Sequence, residues 1–448
     1  MTKTKASKPL KRSKTGIEAE FHIIDNKGLI SNRAGEIINN LHEKHKNIDV
    51  TSEIGQNMIE FGCYPDVKEY NPTMHLLNSI DQANEICNKK DLMLFPFATY
   101  PGKFEPQMTP KAVYKMKMKI FGRSRIKNSM YATGFHHHYT LPKGVFDEKT
   151  KTLKFQKRSK LERSMMSSYN FEIAADPALT LFAQSSPYFQ GRFLGKDSRV
   201  ILYRGGKKLK YMGGLYAKLQ QMGGLPPYKQ TVTDLLISLS NRWKRWKKEV
   251  KSADPNANFD ELYNYKLDIG WHPVKLNKHG TLEQRGMDIN YMSQIVALTV
   301  ALKFCLKNIQ REFKEVIPAD LAIDKPFKVE NEILYIPPHS YVRNHLQKWS
   351  AYDGFDKPEI YNYTKRFFSF VKNVTPKKYT SIIRPMYDMV DKKESMSDQI
   401  MAYAKKKGFV DNGKMDDSGA QEISLHFADR FPADLNKTRE ALEKVSLL

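Results

Sequence analysis

From Gly16 to Ile23 the chain alternates, with Ile17, Ala19, Phe21 and Ile23 on one side and Glu18, Glu20 and His22 on the other. Successive strand side chains point to opposite faces, so this period of two predicts a strand with one face in a core. Asp25-Asn26-Lys27-Gly28 reads as a hairpin turn, which predicts that the sheet continues antiparallel. A second strand is read in Thr51 to Gly62, where Ile59, Phe61 and Cys63 alternate with Met58 and Glu60. Gly134 to Pro142 alternates again, with His136 and His138 on one face and Phe135, His137 and Tyr139 on the other. The fourth such stretch, Gly280 to Asp288, follows the turn Asn277-Lys278-His279-Gly280 and aligns Thr281, Glu283 and Arg285.

Helical spacing fills much of the rest. Asn71-Pro72 offers an N-cap and a first-turn proline before Leu76, Leu77, Ile80, Ala83 and Cys87. Met108 to Lys127 is basic and rich in Met, and reads as a solvated helix rather than one lining a nucleotide. Gly144 to Lys160 is Lys-rich, hairpin-like and peripheral. Asp176-Pro177 is expected to begin a helix through Leu179 and Phe182, ending at Ser185-Ser186-Pro187. Paired glycines at 205–206, 213–214 and 223–224 read as surface turns and match no phosphate-binding glycine motif. Val232, Leu235, Leu236, Leu239, Trp243, Trp246 and Val250 form an apolar stripe with Arg242, Lys244, Arg245, Lys247 and Lys248 around it, which predicts a core-packed helix with a solvated basic face. A helix follows Asn290 with a core run from Ile295 to Leu302, and residues beyond about Thr375 read as helices plus a polar loop at 411–419.

The polar faces of the strands carry the candidate chemistry. Glu18 and Glu20 would lie about 7 Å apart along one strand face. Like charges at that spacing repel unless a cation lies between them, and a hard divalent ion takes oxygen ligands. Glu53 and Glu60 are an odd number apart, so both reach one site only if the chain bends or bulges at Gly55. His136 and His138 suit a metal, a phosphate or a neighbouring carboxylate equally well.

At 448 residues, 40% hydrophobic and 27% charged, the chain has ordinary globular composition and a length that allows a sizeable enzyme, and no fully apolar run approaches the ~18 residues of a membrane span. Net charge is +24 with a pI near 9.6, favouring anionic partners such as nucleotides, polyphosphates, nucleic acid or acidic lipid. Lys3, Lys5, Lys8, Lys11, Arg12 and Lys14 make residues 1–14 a disordered basic arm, but most of the charge belongs to the body. Cys63, Cys87 and Cys305 are too few for a disulfide framework and fit a reducing cytoplasm.

Gly-Ile-Glu-Ala-Glu-Phe, the Ile59-Glu60 pair, Gly-Phe-His-His-His, Ser-Ser-Pro-Tyr-Phe-Gln-Gly-Arg, Leu-Tyr-Arg and Gly-Thr-Leu-Glu-Gln-Arg-Gly-Met-Asp occur in an order that resembles the glutamate–cysteine ligase type 2 family, also called carboxylate–amine ligases. The likeness covers about residues 15 to 305. It implies an α+β fold of glutamine-synthetase-like type, a curved, largely antiparallel sheet with helices on its outer side. The catalytic domain would span 15–390, with a helical extension at 391–448. By resemblance Glu18, Glu20, Glu53, Glu60, Glu283 and one of His136 and His138 would hold magnesium or manganese, His138 being placed in that set and His136 with the substrate. Arg285 would face the transferred phosphoryl group as a catalytic and nucleotide-binding residue alongside Glu283, Arg204 would touch nucleotide and substrate, and Arg192 substrate. Gln284 and Gly286 replace apolar residues usual in the family's last strand, which puts that strand's packing in question.

The implied reaction activates the glutamate carboxylate with ATP to an acyl phosphate and joins it to an amine, cysteine by default, as in glutathione biosynthesis. The partners are then small molecules, with no membrane, and a homo-oligomer is allowed. Two alternatives remain: the same chemistry on another amine, or a nucleic-acid-binding protein on a ligase-like scaffold. The second is disfavoured because unscreened carboxylates on a binding face repel phosphate.

Overall fold

The four alternating stretches become neighbours in one seven-stranded antiparallel sheet in the computed structural model, which describes residues 13–154 and 159–447. The strand order is Val274–Asn277, Thr281–Asp288, Gly134–Thr140, Thr15–Asp25, Met58–Gly62 and Val50–Ser52, with Leu92–Phe95 also pairing on Thr15–Asp25. Of the basic arm, only Ser13 and Lys14 lie within the described residues.

One face of the sheet is apolar. Ile17, Ala19, Phe21, Ile23, Phe135, Leu282 and Met287 are buried there in a core shared with the helices Lys160–Ala183 and Met292–Glu312. By length and mean hydropathy (1.3) the latter helix alone among the described residues is apolar enough to cross a bilayer, but 83% of its apolar window is buried inside the protein. Phe431, Leu435 and Leu442 of the Phe431–Ser446 helix join the same core, with Phe431 5.5 Å from Phe21 ring to ring, so the stretch after residue 390 packs on the central sheet.

Several local expectations change. After the turn at Asp25–Gly28 the chain forms the helix Ala34–Lys44, not another strand, because Ala34, Ile37, Ile38 and Leu41 recur at helical spacing and are all buried. Thr51 to Gly62 is a hairpin of two strands, pairing Thr51 with Glu60. The helix expected to start at Asp176 begins at Lys160, capped by the Ser159 hydroxyl, and carries Pro177 inside it. A proline there lacks an N–H and removes one helical bond. The neighbourhood is tied down from outside by the Ser350 hydroxyl on the Pro177 carbonyl (2.8 Å) and the Tyr363 hydroxyl on the Ala174 carbonyl (2.5 Å). The paired glycines 205–206, 214 and 223–224 are buried, not surface turns: a Cβ on Gly214 would lie 2.6 Å from the Gly205 Cα, so two backbones cross where no side chain fits.

Asn71 is not the expected cap, since its helix begins at Tyr70 with Glu69 before it, but the apolar spacing read there holds. Leu76, Leu77, Ile80, Ala83 and Cys87 of Tyr70–Asn88 are buried. The Val232–Ala253 helix starts with a Thr231–Asp234 capping box, buries Val232, Leu235, Leu239, Trp246 and Val250, and exposes Lys244, Arg245, Lys247 and Lys248.

Candidate active site

The other face of the sheet collects the acids. Register fixes who meets whom: Glu18 lies opposite His136, Glu20 opposite Glu60, and Glu283 opposite His138. Cross-strand partners share a face, so three neighbouring pairs alone assemble four carboxylates and two imidazoles. The hairpin also resolves the parity problem of Glu53. Thr51 opposes Glu60, and Glu53, two residues on, returns to the same face.

His136 is the hub. Its Nδ1 lies 2.9 Å from Glu18 Oε2 and its Nε2 3.5 Å from Glu20 Oε1. Two groups of side chains bring ligand atoms within 4.8 Å of one another, Glu18 with His136 and Glu283, and Glu20 with Glu60 and His136. His138 belongs to neither group. Its Nδ1 bonds the Thr281 hydroxyl (3.0 Å) and its Nε2 lies 3.3 Å from Glu18 Oε1, so it holds a carboxylate in place. The resemblance put His138 in the metal set and His136 with the substrate, whereas here it is His136 whose nitrogen falls within both groups of candidate ligands.

The electrostatics are those of a site built for cations. Burial, then the charge of Glu53, pushes Glu20 up to about 8 despite Arg199 and Arg285. Burial raises Glu60 well above its usual value, with Glu53, Glu18 and Glu20 adding to it. Burial also opposes ionisation of Glu18 and Glu283, but the imidazoles hold Glu18 well below its ordinary value, and Arg285, His138 and Lys275 hold Glu283 near 2. Burial lowers His136 to about 4, leaving a neutral imidazole, the form that ligates metals. Crowded carboxylates, with one ring nitrogen of a neutral imidazole beside them, form a mainly oxygen donor set that fits divalent magnesium or manganese.

Around this floor stand residues the sequence reading did not select. Lys275 is the register partner of Glu283 and is lowered by burial to about 8, and the Asn277 amide donates to Glu283 Oε2 at 2.6 Å. The turn at Asn277–Gly280 is legible in the sequence, and counting back across it pairs Lys275 with Glu283. Tyr114 and Lys117 of the Ala112–Phe121 helix stand close enough to Glu53 to feel its charge, so the basic segment read as merely solvated borders the site. Arg199 is 1% exposed and sits over the rings of Tyr203 (5.1 Å) and Trp271 (5.5 Å).

Arg285 projects to this face, 3.5 Å from Glu283 and 5.9 Å from the Trp271 ring centre. The other two arginines lie elsewhere. Arg204 is buried in a two-pronged pair with Asp176, at 2.6 and 2.8 Å, and its guanidinium is committed there rather than to a substrate. Arg192 is exposed on the short strand Arg192–Phe193, where it pairs with Lys414 of a C-terminal hairpin at 410–415, at the start of the expected polar loop. Gln284 and Gly286 face the Asp176–Arg204 pair, so this strand is packed by polar contacts where apolar ones were expected.

No protein-family model and no curated protein matches the chain. Among solved structures it is similar to the glutamate–cysteine ligase of Francisella tularensis in complex with AMP, at 12% identity and a TM-score of 0.52, covering 97% of this chain and 93% of that one. It is also similar to a bifunctional glutathione synthetase from Pasteurella multocida, at 11% identity and a TM-score of 0.51, covering 93% of this chain but only 52% of that longer one. At these identities the likeness is one of fold, a mixed helical and antiparallel-sheet architecture shared with those ligases along nearly the whole of this chain.

Proposed function

We propose that this protein is an ATP-dependent carboxylate–amine ligase that joins glutamate to an amine, cysteine by default, through an acyl phosphate. The observation that carries the reading is the face where Glu18, Glu20, Glu60, Glu283 and His136 converge beside Arg285. A fold shared with ligases and the ordered strand motifs support it. The glutamine-synthetase-like form of the sheet and a cytoplasmic location, consistent with three free buried cysteines, belong to the same proposal.

In this reading Glu18, Glu20, Glu60 and Glu283 would hold divalent ions, with His136 able to give one ring nitrogen to either group while the other carries its proton, and Glu53 at the rim. Such ions screen the triphosphate, which a bare acidic face would repel. The carboxylate oxygen attacks the γ-phosphorus as the bond to ADP breaks, then the amine attacks the acyl carbon and phosphate leaves. Arg285 offers a planar fork to the charge on the transferred group, and Lys275 and Lys117 add positive charge at the edge. No nucleophilic side chain is required. His138 keeps Glu18 oriented, the work of a residue behind a ligand.

The test is a screen of purified protein with ATP, magnesium, glutamate and a panel of amines, reading phosphate release and product mass. Phosphate release that requires glutamate, an amine and a divalent ion is the expected result. Absence of release with every amine, or release undiminished in excess chelator, overturns the proposal.

A further inference from the structure

The Thr281–Asp288 strand is irregular where it matters most. Gln284 pairs with His137 and Met287 with Phe135, so Arg285 and Gly286 together oppose the single residue His136. This bulge lets Arg285 face the acids while Met287, two residues on, enters the apolar core instead of following it to the same face. The backbone of Arg285 follows the register of the neighbouring Val274–Asn277 strand, where the next residue, Pro273, has a carbonyl that can accept but no N–H to return a bond to the Arg285 carbonyl. Its N–H donates to the Pro273 carbonyl at 2.7 Å, and its carbonyl accepts from Arg199 Nη1 at 3.2 Å.

Beneath the bulge lies the buried Asp176–Arg204 pair. A Cβ on Gly286 would stand 2.5 Å from Asp176 Oδ1, 2.6 Å from Arg204 Nη2 and 3.0 Å from the Pro273 Cβ. The pair therefore fills the space a side chain would occupy and sets how far the bulge can sink. Gln284 and Gln347 complete its contacts, at 3.4 Å to Asp176 and 3.3 Å to Arg204. Arg199 and Arg204 come from one short helix, Ser198–Arg204, capped by Asp197 and straddling the bulge with an arginine on each side. A buried ion pair contributes little net stability against well-packed apolar residues, and its best-attested use is to fix one arrangement over others.

We propose that this helix and Asp176 clamp the bulge, making Arg199, Arg204 and Asp176 positioning residues that aim the Arg285 guanidinium at the reacting group. The proposal rests on the ligase reading for the role of Arg285. The clamp itself is independent of that reading.

The test is a double-mutant cycle of Arg204→Lys and Arg285→Lys in the full chain, read by phosphate release at saturating substrates and by backbone amide exchange across residues 281–288. Arg204→Lys keeps the charge but loses the fork. Turnover should fall on the order of tenfold to a hundredfold with KM for ATP unchanged, as for a displaced catalytic group. In the Arg285→Lys background the same change should cost almost nothing more. Amide exchange should speed at Arg285 and stay slow across Thr15–Asp25. Should Arg204→Lys fail to fold, Arg199→Lys tests the other half of the clamp in the same cycle. Losses that multiply in the double variant, or exchange unchanged at the bulge, overturn the clamp. Local loosening in a protein that releases no phosphate with any amine supports the clamp and overturns the ligase reading instead.

Discussion

The two faces of the central sheet are built from the same strands and obey opposite rules. On the helix side Ile17, Phe21 and Phe135 are fully buried among apolar neighbours, and Asp176 and Arg204 neutralise each other. On the other side Glu20 and Glu60 stand together, both displaced upward by burial and by like charge. One face is held mainly by apolar packing, whereas the other gathers carboxylates whose mutual repulsion a cation would relieve. Proteins tolerate such conflict where function requires it, and the surrounding core supports it.

That contrast can be broken residue by residue. The largest effect should come from the apolar face. Phe21 is enclosed by Phe61 and Phe431, so Phe21→Ala removes a ring from a closed core and should cost about 3–5 kcal/mol of stability, read by chemical denaturation. Turnover per folded molecule should change little, and a loss of turnover equal to that of the site variants would dissolve the distinction between the faces. Next comes Arg285→Lys, which keeps the charge but loses the fork. Its turnover should fall on the order of a hundredfold, by analogy with other preorganised donors to developing charge, with magnesium dependence and melting temperature nearly unchanged. Glu283→Gln should differ in kind, raising the magnesium requirement together with its rate loss. Identical defects in these two variants would deny them separate jobs.

The faces also differ in how far they were legible. Strict alternation in Thr15–Asp25 and Gly134–Thr140 exposes face assignments directly, because the period of two leaves no freedom once one side is apolar. It therefore identifies Glu18, Glu20 and His136 without any structure. Glu53 was ambiguous because parity along one strand differs from parity across a hairpin. Arg204 was misleading because a motif shows that an arginine is present but not whether a buried aspartate 28 residues earlier has already engaged it. Pro177 read as a helix start, since its compensating contacts come from Ser350 and Tyr363, far along the chain. Arg199 offered little local signal, because its importance lies in reaching a carbonyl left without a donor by Pro273 on the neighbouring strand.

A smaller effect should appear in the link between metal and stability. A ligand that binds only the folded state stabilises it by about 2.7 kcal/mol at a hundred times its Kd. Glu60→Gln supplies permanently the neutral form that burial, Glu53, Glu18 and Glu20 already favour. The metal-free variant should therefore be as stable as the parent or more so, while the rise in melting temperature on adding magnesium should shrink. A variant markedly less stable without metal would show that Glu60 has a structural partner instead.

The smallest effect tests whether the basic surface belongs to this contrast at all. Lys244, Lys247 and Lys248 are exposed on the Val232–Ala253 helix, whose apolar stripe is buried. Glu249 of the same helix is already engaged by Arg245 at 2.6 Å. Replacing the three lysines with glutamine should shift stability by no more than about 0.5 kcal/mol, because exposed substitutions away from caps and networks rarely do more. Turnover at saturating ATP should be unchanged. Binding to duplex DNA or RNA should weaken and its salt dependence flatten, since each phosphate no longer neutralised takes roughly 0.9 off the logarithmic salt slope. If nucleic acid instead binds tightly at physiological salt, the triple variant abolishes that binding and no amine supports turnover, the basic helix becomes the functional surface and the acidic face loses its claim.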